Sequence, residues 1–77
     1  MLYKVFIVMI EVFKTNVQEA AQSRMIVEKL LEHFPGSNIN FDLEDCDKIL
    51  RIHSISISKK RVIALLNADG FDCEVLS

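Results

Sequence analysis

The sequence predicts an α+β sandwich with the element order β-α-β-β-α-β, and three observations carry that prediction. Residues 2–17 have strand composition. Two stretches of helical periodicity, 18–34 and 58–68, each end near a glycine. Between them, two alternating runs flank the acidic turn Glu44-Asp45-Cys46-Asp47. At 77 residues the chain makes one domain, near the lower limit for a core that folds without staples. With 51% apolar and 26% charged residues it is globular rather than disordered.

The first element is rich in β-branched and aromatic residues: Tyr3, Val5, Phe6, Ile7, Val8, Ile10, Val12, Phe13, Thr15 and Val17. Its first half is apolar on both faces, whereas Phe13 and Val17 share one face and Lys14 and Asn16 the other. A strand over 2–17 is long for so small a domain. It either overhangs the sheet or pairs, over residues 1–9, with something outside the domain. The apolar run 5–10 is too short to span a bilayer and is interrupted at Glu11, so it is read as strand rather than as a targeting segment.

Residues 18–34 then read as a helix. Ala20, Ser23, Val27, Leu30, Leu31 and Phe34 recur at three- and four-residue spacing, with Glu28, Lys29 and Glu32 opposite and Met25-Ile26 widening the apolar stripe. Asn16 is the expected N-cap, and Pro35-Gly36 the stop. Over 37–44, Ile39, Phe41 and Leu43 point inward and Asn38, Asn40 and Asp42 outward; over 48–54, Leu50 and Ile52 oppose Arg51 and His53. The two runs predict a hairpin. Ser58 is the expected N-cap of a second helix, which faces inward through Val62, Leu65 and Leu66. Gly70 followed by Phe71 predicts a left-handed C-cap, and 71–76 a closing strand. Right-handed crossovers then give a four-stranded antiparallel sheet in the order 4-1-3-2 with both helices on one face, the ferredoxin-like arrangement.

Three segments together resemble heavy-metal-associated domains, the small copper-chaperone-like modules. They are Phe13-Lys14-Thr15-Asn16-Val17, the hairpin Phe41-Asp42-Leu43-Glu44-Asp45-Cys46-Asp47-Lys48-Ile49-Leu50, and the ending Val62…Leu65…Ala68-Asp69-Gly70-Phe71. The resemblance covers about residues 9–75. It implies a metal site built on a C-x-x-C pair at the first loop, where thiolates select soft ions such as Cu(I). In this chain those two positions hold Glu19 and Gln22, which offer only hard oxygens. The resemblance thus implies the fold without the metal motif.

Other groups are candidates for chemistry. The topology gathers Glu19, Glu44, Asp45, Asp47, Asp69 and Asp72 at one end, with Cys46 and Cys73. A metal bound there through non-standard ligands would draw on Glu19, Cys46, Asp69 and Cys73, although no calcium-loop spacing is present. His33 and His53 fall toward the opposite end. Lys59-Lys60-Arg61 occupies the first turn of the second helix, where the macrodipole disfavours cations, and is the candidate anion- or partner-binding run. Acids at one end and cations at the other make the molecule bipolar, which favours oriented association.

No nucleophile–base pair, glycine-rich phosphate loop or cofactor motif is present, so the expected function is not enzymatic. A net charge of −2 gives no general drive toward nucleic acid or anionic membrane, and the sheet face with Lys14, Arg51 and His53 lacks stacking aromatics. Two widely spaced cysteines suit a reducing cytoplasm. The expectation is a non-catalytic binding module for an unknown protein partner. Phe6 and Val8 would present its interaction surface, and a homodimer could form through the long first strand.

Overall fold

A computed structural model describes residues 8–76. The elements are β1 (Met9–Thr15), α1 (Ala20–His33), β2 (Asn38–Asp42), β3 (Ile49–Ser54), α2 (Lys59–Ala68) and β4 (Cys73–Val75), and the single sheet has the order β2-β3-β1-β4. This is the order expected from the sequence. The expectations placed on residues 2–7, Phe6 among them, lie outside the described residues.

Every strand pair is antiparallel. Phe13 stands opposite Leu50 on one side and Val75 on the other, and Ile39 opposite Ile52. Alternation along the strands puts Phe13, Thr15, Leu50 and Ile52 on one face, all buried. Ile26 and Leu30 of α1 and Val62 and Leu66 of α2 close over that same face, so one core lies between sheet and helices. Val17 and Phe34 seal its two ends, Val17 beyond β1 and Phe34 beyond α1.

Both helices stop where the sequence says. Gly70 has φ +87°; the N–H of Phe71 donates to the Leu66 carbonyl and that of Gly70 to the Asn67 carbonyl. That is the paired closure of a Schellman motif, available because glycine enters the left-handed region without a Cβ clash. Ser58 caps α2 by accepting from the Arg61 N–H at 3.3 Å.

The start of α1 differs from expectation. Glu19, not Asn16, is the N-cap, and the helix begins at Ala20 rather than residue 18. Asn16 is held instead by Asp72, 56 residues away: the Asp72 N–H donates to Asn16 Oδ1 at 2.8 Å, and Asn16 Nδ2 donates to Asp72 Oδ2 at 3.2 Å. The inward stripe of α1 is also rotated. Ile26, Leu30 and Phe34, spaced i, i+4, i+8, are buried, while Ala20 and Leu31 are exposed.

Candidate functional site

The corner between β1 and α1 is where the resemblance would place a metal. Thr15, buried at the end of β1, donates its N–H to the Asp47 carbonyl at 3.0 Å. Its hydroxyl donates to the Lys48 carbonyl and accepts from the Val17 N–H at 3.2 Å. The loop is thereby tied to the hairpin turn, where Lys48 takes the left-handed conformation at φ +46°. Glu19 and Gln22 form a capping box. Gln22 Oε1 accepts from the N–H groups of Gln18 and Glu19 at 3.4 and 3.3 Å, and the Glu19 side chain faces the Gln22 N–H in the reciprocal place. The two positions that carry thiolates in the metal-binding modules here satisfy a helix end. They do not fit a soft ion, in donor type or in availability.

The acidic end is largely self-satisfied. Asp42 Oδ1 accepts from the N–H groups of Glu44 and Asp45, and Asp45 Oδ1 from that of Asp47 at 2.8 Å. Such Asx turns are the reason acids suit this hairpin. Lys14 lies 3.8 Å from Asp47, and Lys29 lies 3.1 Å from Asp69. Glu19, Cys46, Asp69 and Cys73 do not converge. Among the described residues the only trio of His, Cys, Asp or Glu ligand atoms within 4.8 Å of one another is Asp45, Cys46 and Asp47. Cys46 is exposed, whereas Cys73 is half-buried, and both thiols are free. Burial, followed by the charge of neighbouring Glu74, pushes the Cys73 thiol up to about 11. Near neutral pH it is a thiol, not the thiolate that binds metal or attacks electrophiles.

At the opposite end, two of the three cations of α2 have partners. Lys59 Nζ lies 3.8 Å from the Glu11 carboxylate. Arg61 Nη2 is 3.0 Å from His33 Nδ1, and its guanidinium carbon lies 5.3 Å from the Phe34 ring centroid. Guanidinium is donor-only, so that hydrogen bond requires an unprotonated His33 Nδ1. Lys60 is exposed and forms no ion pair among the described residues. His53 sits apart, on β3 opposite Ile10.

The apolar surface is the feature the sequence only half reveals. Val8 is 57% exposed, Ile10 58% and Ile55 62%. Val8 and Ile55, with Pro35, Asn38 and His53, line a groove of about 330 Å³. Of these three exposed residues, the sequence alone offers Val8 as a surface candidate. Continuing the parity of β3, in which Leu50 and Ile52 face in and Arg51 and His53 face out, is the signal that marks Ile55 as outward. A second groove, of about 470 Å³, runs between α1 and β2, with Val27, Phe41 and Leu43 lining it and Arg24 and Glu28 beside them. Periodicity assigns Phe41 and Leu43 to the core, and only the open side of β2 reveals the groove.

No protein-family profile, no curated protein and no solved structure matches this chain. Among the described residues no helix is long and apolar enough to cross a membrane.

Proposed function

We propose that this chain is a heavy-metal-associated-like domain that lacks the metal-binding cysteine pair and serves as a non-catalytic protein-interaction module. The capping box carries the reading. Where the modules it resembles hold two thiolates, Glu19 and Gln22 are occupied in closing α1. What remains available to a partner is surface: Val8, Ile10 and Ile55 at one end of the sheet, and Lys60 at the start of α2. Two free thiols suit a reducing compartment, the cytoplasm.

A metal chaperone or sensor with non-standard ligands is the second reading, favoured by the Asp45, Cys46 and Asp47 trio. Native mass spectrometry of the reduced chain with Cu(I) and with Zn(II) separates the two. The interaction module takes up neither ion stoichiometrically, and Glu19→Cys/Gln22→Cys gains one Cu(I) per chain. Uptake by the parent chain that disappears in Cys46→Ser decides for the second reading. A double variant that stays metal-free removes the kinship with metal-binding loops.

A further inference from the structure

We infer that the free edge of β2 is a dimerisation seam, and that its occupant is β2 of a second copy of this chain. This goes beyond the interaction surface at Val8 and Ile10 and does not depend on the metal question.

The argument begins with where backbone groups point. The Leu76 N–H donates to the Val12 carbonyl, so Val12 turns its N–H and C=O toward β4. Antiparallel alternation then turns those of Glu11 and Phe13 toward β3, against Ile52 and Leu50. Arg51 and His53 accordingly face β2 and bond Asn40 and Asn38, their register partners. It follows that Ile39 and Phe41 direct their N–H and C=O groups away from the sheet. No described residue hydrogen-bonds them. Asn38–Asp42 contains no proline, no lysine and no bulge, and its one charge, Asp42, lies at the end of the strand.

Symmetry selects the partner. A two-fold axis normal to the sheet and centred on Asn40 sets Ile39 opposite Phe41 of the second copy, and Phe41 opposite its Ile39. Each becomes a hydrogen-bonded pair, so all the outward groups of both residues find partners. On the outer face Asn40 meets its own counterpart, and Asp42 meets an asparagine, Asn38, so no like charges stand opposite. Sliding the centre to Asp42 would oppose two carboxylates and leave Ile39 unpaired. On the helix face the same axis brings the two α1–β2 grooves together, covering Val27, Phe41 and Leu43. Arg24 and Glu28, one turn apart, then present both signs of charge to an antiparallel copy. The product is one continuous sheet of eight strands, four from each chain.

The register makes the test specific. Asn40 is exposed in the single chain and central in the dimer. Sedimentation of the full chain should show a concentration-dependent dimer. Asn40→Lys, which sets two cations face to face, should raise its dissociation constant at least about tenfold while leaving the circular dichroism melt of the monomer in place. In a Cys46→Ser/Cys73→Ala background, Asn40→Cys should oxidise to a covalent dimer. The two Cα atoms of that non-hydrogen-bonded pair would lie about 4.5 Å apart, within disulfide range. Asn38→Cys, whose counterpart lies four residues away along the seam, should not cross-link. A chain that stays monomeric at millimolar concentration overturns the inference, and so does a dimer that ignores Asn40→Lys but is lost in Ile10→Lys. Equal cross-linking at residues 38 and 40 would refute the register.

Discussion

The loop from Thr15 to Gln22 and the edge strand Asn38–Asp42 are opposites. The loop is rich in polar side chains, and nearly all of them are spent. Thr15 holds Lys48 and Val17, Asn16 holds Asp72, and Gln22 holds two backbone N–H groups. The edge strand carries no motif, yet its backbone at Ile39 and Phe41 and its neighbouring groove are open. Polar residue types therefore mark a functional site only after their hydrogen bonds have been counted. A plain alternating strand becomes a binding element when its ladder ends on one side.

That contrast can be broken in measurable ways. The largest loss is expected inside the loop, from Thr15→Val. It conserves volume but leaves the Lys48 carbonyl and the Val17 N–H without their partner, at a cost of about 1–3 kcal/mol in urea unfolding. A change below about 0.5 kcal/mol would mean that water replaces the hydroxyl and that the loop is not closed by Thr15. Gln22→Ala should cost about 1 kcal/mol, since the N–H groups it serves are near solvent.

Cys73 gives a pH signature on the same side of the molecule. Its thiol is raised to about 11, above the roughly 8.5 of an unfolded cysteine, so above pH 8.5 the native state holds a proton the unfolded state has released. Its contribution to stability is complete below about pH 8.5 and is lost as pH rises toward 11. Cys73→Ala should flatten the melting temperature against pH over that window, and an unchanged slope would assign the effect to other groups. The smallest change belongs to the edge: Asn40→Lys, measured on dilute monomer, should shift stability by no more than about 0.5 kcal/mol.

Most of the fold was legible because it is written in periodicity. Phe13 with Thr15, and Leu50 with Ile52, alternate as strands do. Gly36 and Gly70 mark helix ends because, without a Cβ, they enter the left-handed region, and Ser58 marks a helix start with its hydroxyl. The start of α1 was not legible. Asn16 has good capping chemistry, but its true partner, Asp72, is distant in sequence, and long-range contacts leave no periodic trace. The basic run reads as three free cations until Glu11, His33 and Phe34 are placed beside it. The candidate metal residues were each reasonable by type. Only their placement shows that Cys46 has neighbours within ligand reach while Asp69 is committed to Lys29.

The position of β1 bears on how the chain is made. It pairs with β3 and with β4, which follow it by some forty and sixty residues, so a nascent chain holds its central strand before either neighbour exists. During synthesis Phe13 has no strand to pair with until the segment bearing Ile49–Ser54 has emerged, and the β4 side of β1 stays open until Cys73–Val75 follows. The latch of Asn16 on Asp72 ties the residue before this shortest strand to the residue after β1. The strand that is central in space is thus the first in sequence, and its ladders close only through contacts of large sequence separation.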